Sequence, residues 1–241
     1  MTPIPTHLPT PLLGGLSPQV FMRHHWQKKP LLVRQALPMT SSFVGRAELF
    51  ALAAREGVES RLVTHRAGRW SLRHGPLPRR ALPPLAQREW TLLVQGLDLH
   101  LDSARALLER FRFVPDARLD DVMVSYASDG GGVGPHVDSY DVFLLQIHGV
   151  RRWRIGRVKR PQLQPGVPLK ILGNFVAQDE WRLEPGDMLY LPPGWAHDGV
   201  AEGECMTASI GFRAPGGDEL ARELLQRTLD ADEPASSARL Y

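Results

Sequence analysis

Two stretches about sixty residues apart, each combining glycine, proline and metal-binding side chains, restrict this chain more than anything else in it. The first is Gly130-Gly131-Gly132-Val133-Gly134-Pro135-His136-Val137-Asp138. The second is Gly186-Asp187-Met188-Leu189-Tyr190-Leu191-Pro192-Pro193-Gly194-Trp195-Ala196-His197. In an extended strand, residues i and i+2 share a face, so His136 and Asp138 project together while Val137 points away. In the second stretch, Pro185-Gly186-Asp187 reads as a tight turn, because Pro presets φ and Gly accepts a positive one. Met188-Leu189-Tyr190-Leu191 then reads as a short buried strand, halted by the corner Pro192-Pro193-Gly194. Turn, strand, corner and histidine in that order are how a double-stranded β-helix delivers its last ligand.

Brought together, His136, Asp138 and His197 would present two imidazoles and one carboxylate to a metal and leave its other positions open. That donor set describes a non-haem Fe(II) oxygenase centre. A His-x-Asp tripeptide alone is common by chance; the second stretch supplies the partner that gives it meaning. A zinc hydrolase would also need a general base, and no nearby Glu is placed for that task.

The remaining chain supports a mainly β domain with flanking helices. Ser17-Pro18 opens a first helix as N-cap and first-turn proline, Lys29-Pro30 ends it, and Leu31-Leu32-Val33 is a strand. Arg46 to Ala54 forms a short amphipathic helix. Arg61 to Thr64 and Trp70 to Leu72 flank Ala67-Gly68-Arg69 as a hairpin. The apolar run Trp90 to Gln95 is a strand buried on both faces, and Leu101 to Phe111 is a helix. From Asp121 onward, short strands separated by Gly/Pro corners continue to Phe212, as in a jelly roll. Residues 1–16 read as a flexible, proline-rich arm without a signal-peptide pattern. Glu219 to Leu229 reads as a helix, and the tail that follows has no packing stripe.

The two motifs, with Arg151-Arg152-Trp153-Arg154-Ile155-Gly156, His25-Trp26-Gln27-Lys28-Lys29-Pro30 and Ser60-Arg61-Leu62-Val63, carry a resemblance. Over residues 17 to 230 the chain resembles the Jumonji-C branch of the 2-oxoglutarate oxygenases, and in particular the bacterial ribosomal oxygenases. The resemblance implies a double-stranded β-helix (cupin-like, JmjC) over residues 17–215, with an N-terminal α/β elaboration. It implies Fe(II) on His136, Asp138 and His197, with 2-oxoglutarate and dioxygen in the open positions. It implies Arg151 as the cation for the distal carboxylate of 2-oxoglutarate, and strand alternation sends Arg152 and Arg154 to the opposite side. Arg is well suited to that role because it meets a carboxylate in bidentate fashion. Ser209 is the matching hydroxyl from the last core strand, with Ser125 and Thr207 as rivals. The implied reaction is hydroxylation of an arginine in a large-subunit ribosomal protein, number sixteen.

An arginine side chain entering such a site calls for carboxylates and aromatic faces at its mouth. Asp129 is the first candidate, followed by Tyr126, Tyr140 and Ser139. Asp before Gly130 is also a common turn residue. Nothing in the residues themselves separates arginine from histidine, asparagine or lysine as target. Members of the family usually continue into a helical dimerisation region and a winged-helix-like domain. Residues 216–241 read as the opening of that region, with the remaining C-terminal domain absent from this sequence, which weakens the expected homodimer.

Composition narrows the alternatives. With 241 residues the chain can bury a sizeable core, and its net charge is only +3. Only Lys28, Lys29, Lys159 and Lys170 are lysines, and this preference for Arg reads as genome composition. Cys205 is the sole cysteine, so no intrachain disulfide forms, which fits a cytoplasmic location. No stretch has the length and apolarity of a membrane span. No basic run with interleaved aromatics stands out, so sequence-specific nucleic-acid recognition has the least support. Two other readings share these ligands or this fold: a JmjC hydroxylase or demethylase with another target residue, and a non-enzymatic cupin-like ribosome-associated binding protein.

Overall fold

The computed structural model describes residues 5–38, 43–214, 216–217, 221–222 and 224–227. Ten strands and three α-helices follow one another as α1 (Pro18–His24), β1 (Leu31–Val33), α2 (Arg46–Ala53), β2 (Ser60–Arg66), β3 (Arg69–His74), β4 (Trp90–Val94), α3 (Asp102–Glu109), β5 (Leu119–Ala127), β6 (His136–Val137), β7 (Val142–Arg157), β8 (Asp179–Leu183), β9 (Met188–Leu191) and β10 (Trp195–Phe212). The strands form one antiparallel sheet in the order β1-β9-β7-β10-β5-β4-β2-β3, with β6 added to β10 and β8 to β7. This is the expected mainly β, cupin-like arrangement with flanking helices. Among the described residues no helix is long and apolar enough to cross a membrane.

Alternation along three central strands decides what each face does. On β5, Val122, Val124 and Tyr126 are fully buried in the main core, and on β7 Phe143, Leu145 and Ile147 point the same way. On β10, Ala208, Ile210 and Phe212 complete that face. Helix α1 closes over it with Phe21, whose ring lies 4.9 Å from Tyr190 and 5.5 Å from Phe143. Edge-to-face and tilted contacts of this kind stabilise beyond area burial alone. The residues of opposite parity, Ser125, Leu144 and Ser209 among them, line a cavity on the other face.

Two expectations about the elements change. The short strands expected between Gly/Pro corners are partly fused: β7 runs 16 residues and β10 runs 18. Both bend without ending, because Gly149 and Gly203 take positive φ of 61° and 77°, and the β7–β10 register shifts between Glu202 and Met206. The arm expected to be flexible is packed from Thr10 onward. Leu12 and Leu13 are buried in the main core, and the Thr10 side chain caps their short 3-10 turn. Of the helix expected at Glu219 to Leu229, the described residues 221–222 and 224–227 are helical, and the tail after it lies outside the described residues.

The expected N-cap of α1 is present, with the Ser17 hydroxyl accepting from the Val20 amide. The expected hairpin is β2–β3. Its turn residues Ala67 and Gly68 both have positive φ, the conformation of a type I′ turn.

Candidate metal centre

The ligand strand is placed by backbone pairing with a strand far away in sequence. In the β6–β10 register His136 lies opposite His197, and Val137 opposite Ala196. Asp138 follows directly, and its carbonyl accepts from the Gly194 amide, which ties the end of β6 to the corner before β10. The glycines upstream are sterically required. A Cβ on Gly131 would fall 2.4 Å from the Trp90 carbonyl oxygen, and one on Gly132 would fall 2.7 Å from the Gly199 oxygen.

One ligand atom from each of His136, Asp138 and His197 lies within 4.8 Å of the others. His136 Nε2 is 3.9 Å from Asp138 Oδ1, and His197 Nε2 is 3.6 Å from Asp138 Oδ2. The two imidazoles sit 4.2 Å apart between centroids. Each Nδ1 faces a carbonyl two residues earlier, His136 to Gly134 at 2.9 Å and His197 to Trp195 at 3.1 Å. A carbonyl oxygen only accepts, so Nδ1 carries the proton in both rings, and both Nε2 lone pairs point inward beside the carboxylate. Backbone partners that fix the tautomer in this way are characteristic support for metal-binding histidines. Burial, together with the neighbouring His136, pushes the His197 pKa down to about 4, so the ring is neutral and competent to ligate near neutral pH.

The triad opens onto a cavity of about 560 Å³. Beyond the ligands, its inner wall carries Arg151, Ser125, Ser209 and Trp153. Arg151 is 5% exposed, donates through Nη1 to Ser125 Oγ at 3.2 Å, and lies over the Trp153 ring at 5.7 Å. Its Nε and Nη2 are buried and have no hydrogen-bond partner. A buried cation with two idle donors is costly unless an anion completes it. Arg152 and Arg154 are on the opposite face, paired with Glu202 and Asp198, as alternation requires. Thr207 does not line this cavity; its hydroxyl is committed to Gln146 Oε1 at 2.8 Å.

The residues expected at the substrate mouth divide. Tyr140 lines the cavity. Ser139 is exposed and lines a shallow outer depression with Tyr140 and Asp120. Tyr126 is in the packed core instead, because it shares the parity of Val124, and its hydroxyl donates to Glu204 at 2.8 Å. Asp129 is outside the cavity as well. It accepts from the Gly203 amide at 2.9 Å and pairs with Arg88 at 3.0 Å, so it fastens two turns together. Besides Asp138, the carboxylates that line the cavity are Asp120 and Asp121, at the opening of β5. Asp121 accepts from the Gly96 amide and from Gln95 Nε2, and burial raises its pKa. Asp121 shares the parity of Met123 and Ser125, a signal readable only once one residue of β5 is known to face inward, whereas Asp120 has the opposite parity and reaches the cavity only where the strand begins.

Comparison with known proteins agrees with this geometry. Residues 106–220 match the JmjC domain family. The chain is 42% identical over 214 residues to the Escherichia coli protein named ribosomal protein uL16 3-hydroxylase, covering 87% of this chain and 57% of that protein. It is 38% identical to a Haemophilus influenzae protein named probable ribosomal oxygenase, covering 83% and 50% respectively. Among solved structures, E. coli YcfD superimposes with a TM-score of 0.80 at 39% identity, over 94% of this chain and 62% of that one. A ribosomal oxygenase YcfD structure in complex with cobalt and 2-oxoglutarate superimposes with a TM-score of 0.77 at 38% identity, over 94% and 61%. The chain thus spans half to three-fifths of the length of these curated relatives.

Proposed function

Because the chain belongs to the JmjC-domain family, we propose that it is a 2-oxoglutarate-dependent oxygenase that hydroxylates a ribosomal protein of the large subunit. The proposed target is an arginine side chain of the protein corresponding to uL16, the substrate in the name of the E. coli relative. The observation that carries this reading is the pairing of two unlike groups in one cavity: the His136-Asp138-His197 triad and the buried Arg151 with two unpartnered nitrogens. The donor set suits Fe(II) with open positions, and the idle guanidinium suits a dicarboxylate anchored at its far end.

Bound together, Fe(II) and 2-oxoglutarate would supply the oxidising power that inserts one atom of dioxygen into a substrate C–H bond. The chain's own residues do the rest. His136 and His197 keep their protons on Nδ1, held there by the Gly134 and Trp195 carbonyls, and hold Nε2 ready to coordinate. Arg151, steadied by Ser125 and the Trp153 face, receives the distal carboxylate, with Ser209 lining the same wall. Leu144, Val142 and Trp153 present apolar surface that excludes water from the reacting centre. At the outer end, Asp120, Asp121 and Tyr140 offer two carboxylates and a ring to a guanidinium arriving from outside.

The test is aerobic turnover of 2-oxoglutarate by Fe(II)-loaded protein with purified uL16, followed by intact mass and fragmentation. One added oxygen atom on an arginine, absent with His136→Ala, is the expected result. Oxygen on another residue type would move the target while keeping the reaction. Failure to bind or consume 2-oxoglutarate would overturn the enzyme reading in favour of a cupin-like binding protein.

A further inference from the structure

Asp121 stands in the cavity wall with its two oxygens in unlike positions. Oδ2 accepts from the Gly96 amide at 2.8 Å and from Gln95 Nε2 at 3.2 Å. Oδ1 accepts no hydrogen bond among the described residues. A Cβ built on Gly211 would fall 3.5 Å from Oδ1, and Gly211 lines the cavity, so the free oxygen lies against the cavity surface. Both anchoring donors come from the end of β4, where Gly96, with a φ of 64° that suits glycine, turns the chain out of the strand.

Behind Asp121 is a cation held away from it. Arg61 on β2 also lines the cavity, and its Nη2 donates to Gln95 Oε1 at 2.9 Å. A guanidinium only donates and a carboxylate only accepts, so the Gln95 amide bridges them in a single orientation, oxygen to Arg61 and nitrogen to Asp121. The sheet dictates this order. Strand β4 lies between β2 and β5, and Leu93 on β4 pairs with Arg61 on one side and Ser125 on the other. Gln95, two residues on from Leu93, therefore projects from the same face, between the strands that carry the two charges. Arg61 is otherwise poorly compensated. Its Nε is buried without a hydrogen-bond partner, and its ion pair with Glu59 is 4.0 Å long.

We propose that Gln95 is a positioning residue that keeps Arg61 off Asp121, fixes Asp121 through Oδ2, and leaves Oδ1 and its negative charge for a cationic side chain entering the cavity. The proposal rests on the reading that the target is an arginine, for which a carboxylate is the natural partner. A brace between strands would not need to separate opposite charges, because a direct Arg61–Asp121 ion pair would tie β2 to β5 more strongly. A neutral amide in its place forgoes that attraction and keeps the carboxylate available. The other ionisable groups around Asp121 are Asp98, Asp120, Glu59 and Tyr140, with Arg213 already paired to Asp120 at 3.3 Å. Without Gln95, Arg61 is the cation placed to claim Asp121.

The test is steady-state hydroxylation of purified uL16 by Fe(II)-loaded protein, beside a carbon NMR titration of the Asp121 carboxyl without uL16, assigned with Asp121→Asn. Gln95→Leu roughly keeps the side-chain volume and frees Arg61 to pair with Asp121 directly. KM for uL16 should rise about tenfold, the scale of one charge-assisted hydrogen bond, with kcat nearly unchanged. The Asp121 titration midpoint should fall, because a cation then adjoins the carboxylate. Adding Arg61→Met should bring KM most of the way back. It should also lift the midpoint above that of the unaltered protein, since neither amide nor cation then favours the charged form. A role in bracing alone would make the double variant worse than the single one. Unchanged KM and midpoint in Gln95→Leu, or failure of Arg61→Met to reverse them, overturns the proposal. If uL16 is not hydroxylated at all, the arginine reading falls, and the two midpoints by themselves decide the role of Gln95.

Discussion

The two faces of the central sheet use the same strands for opposite purposes. The helix-covered face is filled with Phe21, Phe111, Phe143, Tyr190 and Phe212, with ring-to-ring contacts running throughout. The other face leaves a cavity whose wall includes a histidine ligand, an arginine with idle donors and two serines. Adjacent residues on β5 and β7 thus differ in what they contribute, stability from one and chemistry from the next. The packed face leaves few polar groups to satisfy, while the cavity face holds groups whose partners must come from outside.

Substitutions can set the two faces against each other. The largest effect is expected from His197→Ala, which should remove tight metal binding and reduce turnover at least a thousandfold, the order seen when an essential catalytic group is deleted. Unfolding of the metal-free protein should be little affected or shifted upward, measured by calorimetry beside metal titration. Phe143→Ala, on the packed face, should cost about 3–5 kcal/mol of stability while the folded fraction keeps its metal affinity. If Phe143→Ala abolished metal binding in folded protein, the two faces would not be separable.

Arg151→Gln is expected to weaken 2-oxoglutarate binding by about 30- to 150-fold, the loss of a buried charge-assisted contact at roughly 2–3 kcal/mol. The thermal midpoint of the variant should not fall, because the change removes a buried cation that the fold leaves unpaired. A large drop in midpoint would mean that Arg151 is structural.

The histidine also separates the faces by pH. His197 has a folded pKa of about 4 against an ordinary 6.5. Its neutral form therefore contributes stability that is complete above the ordinary value and is lost as pH falls from there toward 4. The metal-free protein should lose stability over that window, and His197→Gln should flatten the decline. Identical pH curves for both would remove His197 as the cause. The smallest effect expected is a few-fold rise in KM for 2-oxoglutarate on Ser209→Ala, with kcat nearly unchanged.

How much of this was legible in the chain depended on whether a local rule fixed a residue's direction. The triad could be read because His136 and Asp138 sit two apart and His197 follows a strand and a corner. Arg151 came from the resemblance, since alternation separates it from Arg152 and Arg154 without saying which side faces inward. Tyr126 and Asp129 failed for one shared reason: closeness in sequence to the glycine run says nothing about facing. Tyr126 takes its direction from the register of β5 with β4 and β10, and Asp129 from a turn contact with Gly203. Asp120 and Asp121 went unnoticed because no short-range pattern ties them to a metal ligand 15 or more residues later. Leu12 and Leu13 were misjudged because proline-rich segments bury apolar side chains only when a tertiary groove is waiting for them.

The pairing of His136 with His197 also bears on how the protein comes into being. Contacts between distant parts of a chain form slowly, since the intervening loop must close before they reward it. On a ribosome, the first two ligands emerge long before the third, and the third sits near the start of an 18-residue strand. The nascent chain therefore holds two of the three ligands throughout that interval. Metal capture is a closing event in its synthesis, gated by arrival of the final strand, and an early-binding ion could not be held by all three side chains.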